Sequence, residues 1–150
     1  MPSNAPVKNA RALLDTSALL AALDAEPGCE DVRARLVAAD AGKCELFLSF
    51  ASLAEVYYIT QQDHGSAKAE DVVAVLRGWP LTVIFPDAPL TLAAGRLKAA
   101  HAISFADAFI VATARQLDAE FVHKDPEFEP LAGLLRLAPL PYKPRKPGRA

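Results

Sequence analysis

Short apolar runs alternate with helical patterns along most of the chain, and this alternation constrains the fold more than any other feature. Strand-like runs lie at 11–14, 46–50, 81–85 and 121–123, with a weaker one at 134–137. Helical patterns lie between them, at 17–23, 27–40, 52–62, 66–78, 89–101 and 104–117. Apolar strands joined through helices are typical of a parallel sheet that is covered on both faces. We therefore predict a three-layer α/β/α fold around a mainly parallel sheet of four to five strands.

The composition fits one soluble domain with a substantial core. The chain has 150 residues, of which 52% are hydrophobic and 23% charged, so disorder is excluded by composition. No apolar stretch approaches the roughly 18 residues that a membrane helix needs, so we expect no membrane contact. Two cysteines are too few for a disulfide scaffold and suit the reducing cytoplasm, where we expect the protein to act.

The two ends differ from the middle of the chain. Residues 1–10 are predicted to be a flexible leader, residues 11–138 the folded domain, and residues 139–150 a basic, proline-rich tail. The tail either keeps the protein soluble or acts as a weak phosphate-contacting arm. A secretory signal is rejected because Asp15 interrupts the leucine-rich segment in which its apolar centre would lie.

Four carboxylates are predicted to meet at one edge of the sheet. Asp15 directly follows the first strand, and Asp125 closely follows the fourth. Glu55 lies early in the helix after the second strand, and Asp107 lies early in the helix before the fourth. Sites in such sheets form beyond the carboxyl ends of the strands. Taken singly, Asp15, Glu55 and Asp125 also suit a helix cap, a solvated helix face and a turn.

Asp107 is harder to explain as an ordinary surface residue. It is the only charged residue from Phe105 to Ala114, a segment apolar enough all round to be buried. A carboxyl group buried in an apolar helix must either stay protonated or pair with a cation, because burial disfavours its ionised form. The segment itself contains no cationic residue. A divalent cation shared among the acids would resolve the problem. Oxygen ligands favour Mg²⁺ or Mn²⁺, and the cysteines and histidines have no zinc-site spacing.

Four segments, in this order, resemble the PIN domain family, and most of all its VapC-type toxins. They read Leu-Leu-Asp-Thr-Ser-Ala-Leu-Leu at 13–20, Ser-Leu-Ala-Glu-Val at 52–56, Ser-Phe-Ala-Asp-Ala-Phe-Ile-Val-Ala-Thr-Ala at 104–114 and Lys-Asp-Pro-Glu-Phe at 124–128. The resemblance extends over about residues 10–138. It implies a metal-dependent endoribonuclease, the toxin of a toxin–antitoxin pair, in which RNA is cleaved by water that Mg²⁺ or Mn²⁺ activates.

The resemblance also implies roles for individual residues. The catalytic and metal-binding acids would be Asp15, Glu55, Asp107 and Asp125. Thr16 or Ser17 would help to hold metal or water beside the first of them. The sequence departs from the family pattern at His123 and Lys124, where small polar residues or arginine are more usual. Lys124 would then either weaken metal binding through its like charge or contact phosphate.

The same resemblance implies partners. A cognate antitoxin would cover the active groove, and a homodimer is expected. Leu19, Leu20, Leu23 and Tyr57 would either line that groove or pack in the core. Because the net charge is −2, RNA binding would rest on local patches such as Arg96 and Lys98, or on the tail.

Several other functions remain open or are disfavoured. A PIN nuclease that is not a toxin and a non-catalytic PIN-like binding module remain open. An aspartyl phosphotransferase is disfavoured because position 17 is Ser, where that class has a second aspartate. A phospho-acceptor receiver domain is disfavoured because Asp15 has no acidic neighbour.

Overall fold

A central parallel sheet organises the computed structural model, which describes residues 10–144. Its strands are β1 (Ala10–Leu14), β2 (Cys44–Ser49), β3 (Leu81–Ile84), β4 (Glu120–His123) and β5 (Leu137–Pro139). They lie in the order β3-β2-β1-β4-β5, and every neighbouring pair is parallel. The predicted α/β fold with a parallel sheet is confirmed.

Helices connect the strands and cover both faces. They are α1 (Thr16–Leu23), α2 (Cys29–Asp40), α3 (Phe50–His64), α4 (Ser66–Arg77), α5 (Ala88–Ala100) and α6 (Phe105–Leu117), with a 3₁₀ helix at Pro126–Leu131. Within the described residues no helix is long and apolar enough to cross a bilayer.

The side chains of successive strand residues point to opposite faces of the sheet, so each strand contributes to two hydrophobic cores, one on each face. Leu13, Phe47 and Phe121 pack with α5 and α6 on one face. Leu14 and Val122, their neighbours in the chain, pack with α1 and α2 on the other face. The strands are therefore buried on both sides, which is why they read as continuous apolar runs.

The structure corrects two predicted boundaries. The fifth strand lies at Leu137–Pro139, not at 134–137, because the main chain still turns where Leu134 and Leu135 donate to the carbonyl of Leu131. Helix α2 begins at Cys29, not at Pro27, because Gly28 adopts a left-handed conformation with φ of 98°.

The chain after β5 packs back on the domain. The Leu140 amide donates to the His123 carbonyl at 2.7 Å, and the Leu140 side chain is buried. A Cβ atom placed on Gly28 would lie 3.0 Å from Leu140 Cβ, so the loop before α2 contacts this segment closely. The described part of the predicted tail is thus in contact with the domain. The predicted leader, apart from Ala10, and residues 145–150 lie outside the described residues.

We predict that Gly28→Ala destabilises the protein by about 2 to 4 kcal/mol, because it adds left-handed strain to a close contact with Leu140. Gly42→Ala is the matched control, since Gly42 also has positive φ, at 73°, but a Cβ there meets nothing within 4 Å. It should cost only the conformational strain, about 1 to 2 kcal/mol. Urea unfolding measures both changes, and equal losses would contradict the contact with Leu140.

Candidate metal and active site

The parallel sheet brings the sequence-predicted carboxylates to one edge. Asp15 directly follows β1, and Asp125 follows β4 after one intervening residue. Glu55 and Asp107 lie near the starts of α3 and α6, which begin at the same edge. The Asp15 amide donates to the Val122 carbonyl at 2.9 Å, which ties the end of β1 directly to the end of β4.

Asp15 is a buried carboxylate that has hydroxyl and amide partners rather than a cation. Only 3% of the residue is exposed to solvent. Its Oδ2 accepts the Ser17 hydroxyl at 2.6 Å and the Ser17 amide at 3.2 Å. Burial, with a smaller contribution from the charge of Asp107, raises the pKa of Asp15 to about 7, although the hydrogen bonds from Ser17 and from the Thr16 amide lower it. Among the described residues, the ionised Asp15 carboxylate therefore has hydrogen-bond donors but no cation to balance its charge.

Thr16 connects the end of β1 to Glu55. Its hydroxyl donates to Glu55 Oε1 at 2.9 Å and lies 3.0 Å from Ser52 Oγ. The other carboxylate oxygen of Glu55 lies 3.4 Å from the Tyr58 hydroxyl. The Glu55 carboxylate is thus oriented by groups on both α1 and α3. Ser52 and Tyr58 were not among the predicted site residues.

Asp107 is electrostatically coupled to all the other predicted acids. Burial raises its pKa, and the charges of Glu55, Asp125 and Glu127 raise it further, against a hydrogen bond from Ser104. Its charge in turn raises the pKa of Asp15. The local reason for its position is the helix cap, since Ser104 Oγ accepts the Asp107 amide at 3.1 Å.

Asp125 caps the 3₁₀ helix that follows it, and this turn brings in an acid that the sequence analysis missed. Asp125 Oδ1 accepts the Glu127 amide at 2.9 Å. The turn places Glu127 close enough to Asp107 to affect its pKa. The signal in the sequence was Asp-Pro-Glu, because proline at the first helical position favours a tight helical turn.

The Lys124 ammonium group is held in a buried position, so it is not available to contact phosphate, and its effect on metal binding stays a prediction. Its side chain is 2% exposed, and its Nζ donates to the Pro27 carbonyl at 2.7 Å and to Glu26 Oε2 at 3.2 Å. These partners lie in the loop between α1 and α2. The main-chain amide of Lys124 does contact the site, since it donates to Ser17 Oγ at 2.9 Å, and Ser17 in turn bonds Asp15. The nearest lysine in sequence therefore does not neutralise the acids.

The donor chemistry of the site fits a hard divalent cation. The converging groups are carboxylate and hydroxyl oxygens, which Mg²⁺ and Mn²⁺ prefer. As they stand, no group of three or more His, Cys, Asp or Glu side chains within residues 10–144 is close enough to hold a metal ion. Asp15, Glu55, Asp107 and Asp125 could hold one, but only after side-chain movement draws their oxygens together.

We predict that Asp15 makes the metal-free protein less stable as the pH rises from 3.8 to about 7. Over this range the unfolded state releases the proton first, so the free energy of unfolding falls. The total loss is on the order of 4 kcal/mol, at about 1.4 kcal/mol per pKa unit. Asp15→Asn should remove this loss and raise the stability at pH 8.

Urea unfolding in EDTA across this pH range measures the effect. Asp63→Asn is the control, because Asp63 is an exposed carboxylate near the other end of α3. It should leave the pH dependence unchanged. A wild-type pH dependence in Asp15→Asn would show that the carboxylate is not destabilising.

Solved structures with the same fold come from toxin–antitoxin systems. A chain of VapBC2 from Rickettsia felis, bound to a promoter DNA fragment, has 18% identity and a TM-score of 0.70, with 87% of this chain and 99% of that chain covered. Mycobacterium tuberculosis VapC20, a sarcin-ricin loop cleaving toxin, has 22% identity and a TM-score of 0.64, with 83% and 97% covered. DNA-bound VapBC from Salmonella typhimurium has 18% identity and a TM-score of 0.69, with 88% and 98% covered.

At these identities the likeness establishes a shared fold. No protein of curated function matches the chain. The sequence itself matches the family model of the PIN domain over residues 12–134, which includes all four predicted acids. The chain therefore belongs to the PIN domain family.

Proposed function

We propose that this protein is a Mg²⁺- or Mn²⁺-dependent endoribonuclease and the toxin of a toxin–antitoxin pair. The observation that carries the proposal is the gathering of four acids at the carboxyl edge of the sheet, where Asp15 is buried at the end of β1 and its neighbour Thr16 bonds Glu55 at 2.9 Å. The charges of these acids also raise the pKa of Asp107 and of Asp15. Such a cluster is unfavourable in the absence of a cation, and it lies where parallel sheets form their sites. Membership of the PIN domain family and the VapC-like fold support the same activity.

The charge of the substrate explains why the acids need a cation. A phosphodiester is an anion, so the acids repel it unless a metal ion inverts the local charge. A bound divalent cation supplies a water of lowered pKa and stabilises the charge that develops on the leaving oxygen. We assign Asp15, Glu55 and Asp107 to holding the cation and Asp125 to an outer position that orients water.

Hydroxyl groups hold two of these carboxylates in place. Ser17 bonds Asp15, and Thr16 bonds Glu55, so both carboxylates already have hydrogen-bond partners in the metal-free protein. We therefore assign Thr16 and Ser17 to positioning the carboxylates, and Ser17 is itself held by the Lys124 amide.

We propose that the antitoxin covers the active groove and that it also binds an apolar groove between α1, α3 and α4. The groove has a volume of about 390 Å³, and its apolar lining includes Leu20, Leu23, Val72 and Trp79. Leu19, by contrast, is fully buried and belongs to the core. The Tyr57 hydroxyl donates to Glu70 at 2.7 Å, between α3 and α4. An amphipathic segment of the antitoxin would fit such a surface.

Two further features belong to the proposal. We place the protein in the cytoplasm, where its RNA substrate and antitoxin would be. We also propose a homodimer, which would cover exposed apolar side chains such as Phe85 and Leu92.

We predict that Glu55→Gln and Asp107→Asn each reduce Mn²⁺-dependent RNA cleavage by roughly 100-fold or more, because each removes a negative charge from the cation site. Cleavage of a structured RNA by the purified protein, with Mn²⁺ and with EDTA, measures this. Asp63→Asn, which changes an exposed acid at the other end of α3, should cleave like the wild type. Full activity in either site variant would contradict the assignment of that residue.

Toxicity is tested separately in the cell. We expect induced expression of the chain alone to arrest growth, and co-expression of its cognate antitoxin to restore it. The Asp107→Asn variant should not arrest growth. An arrest that persists in this variant would show that toxicity does not come from the proposed nuclease site.

A further inference from the structure

His123 is a polar ring enclosed by aromatic side chains. It ends β4 and is 0% exposed. Its ring centroid lies 5.8 Å from that of Phe121, 5.6 Å from that of Phe128 and 6.0 Å from that of Tyr142. A phenylalanine ring would suit this environment better, since burying an imidazole removes its nitrogens from water.

The two ring nitrogens have different surroundings. Nε2 is buried and has no hydrogen-bond partner, and it is the only such side-chain atom within residues 10–144. Nδ1 lies 2.9 Å from the Asp125 carbonyl oxygen and 3.3 Å from the Asp125 amide nitrogen. With either tautomer, the imidazole bonds the backbone of Asp125. This bond is what histidine adds to the packing that an apolar ring would provide.

The bond acts on a segment that leads directly into the candidate site. Lys124, between the two residues, is fixed by the hydrogen bond that its main-chain amide donates to Ser17 Oγ and by the buried contacts of its side chain with Glu26 and Pro27. Leu140 donates to the His123 carbonyl from the other side. With its backbone held in this way, Asp125 directs its carboxylate to the Glu127 amide and into the field of Asp107.

We propose that His123 is a positioning residue that fixes the backbone of Asp125, and thereby its carboxylate, through Nδ1. The consequence for metal binding rests on the nuclease function proposed above, because Asp125 is an acid of that site. The positioning itself is a property of the metal-free protein. Because His123 is fully buried, we assign it to positioning Asp125 and not to catalysis.

Three substitutions at His123 separate positioning from packing. His123→Phe keeps an aromatic ring and loses the bond to Asp125. His123→Asn loses the ring and places an amide near the position of Nδ1, whereas His123→Gln places its amide near the position of Nε2. If His123 only fills space, the variants that lose most stability should also lose most affinity for Mn²⁺. If His123 positions Asp125, the variants that lose the hydrogen bond made by Nδ1 should lose affinity, whatever their stability.

The first measurement is Mn²⁺ affinity by calorimetry, without RNA, together with the Tm of each variant. We expect His123→Phe to keep or raise the Tm and to bind Mn²⁺ roughly 10-fold more weakly, the usual effect of losing a group that orients a metal ligand. His123→Asn should have a lower Tm but an affinity closer to that of the wild type. Wild-type affinity in a folded His123→Phe would overturn the proposal.

If His123→Phe does not fold, the Mn²⁺ affinities of His123→Asn and His123→Gln provide the test instead. We expect His123→Asn to bind Mn²⁺ more tightly than His123→Gln, because only asparagine reaches the backbone of Asp125. Equal affinities would overturn the proposal.

The second measurement is amide hydrogen exchange in the metal-free protein. Loss of the bond should speed exchange of the Glu127 amide, which donates to the Asp125 carboxylate. Unchanged exchange in His123→Phe and His123→Gln would overturn the positioning role. If wild-type protein binds no Mn²⁺, the metal site fails, but the exchange experiment still tests the action of His123 on Asp125.

Discussion

Parallel pairing of β1 with β4 is the constraint on which the site depends. These strands come from opposite ends of the chain, and their register sets Leu14 beside Val122. The main chain then leaves both strands at the same edge, where the Asp15 amide still bonds the Val122 carbonyl. Asp15 and Asp125 can be near each other only because no other strand lies between β1 and β4. The helices add Glu55 and Asp107 because α3 and α6 also begin at this edge.

The edge gathers negative charge without using nearby cations to balance it. Lys124 is the closest lysine in sequence to any of the acids, yet its ammonium group bonds Glu26 and Pro27 instead. Hydroxyl groups of Thr16 and Ser17 bond the carboxylates, and they orient charge without neutralising it. The unfavourable electrostatics are therefore concentrated in the site, and the two apolar faces of the sheet supply the compensating stability.

Local patterns predicted the parts of the structure that depend on local interactions. Ser104 and Asp107 showed where α6 starts, because a cap bond joins residues three apart. The buried strands were visible as apolar runs, and the edge occupied by the four acids followed from the order of strands and helices. These features need only short stretches of sequence and the general geometry of parallel sheets.

Features set by tertiary contacts were not accessible in the same way. The direction of the Lys124 side chain depends on Glu26 and Pro27, which are almost a hundred residues away in sequence. The link from Thr16 to Glu55 depends on how α1 packs against α3. Glu127 joined the acids because a 3₁₀ helix replaced the simple turn expected after Asp125. The bond from His123 to Asp125 depends on an aromatic enclosure that includes Tyr142, from the chain beyond β5.

The two outer strands of the sheet also limit how this protein can associate. β3 and β5 are short, with four and three residues, and both are flanked or ended by proline, at Pro80 and Pro139. Proline lacks the amide hydrogen that strand pairing requires, and short strands offer few free main-chain groups. Growth of the sheet by addition of a strand from another molecule is therefore disfavoured. Association is left to the surfaces of helices and loops, where side chains rather than main-chain hydrogen bonds select the partner.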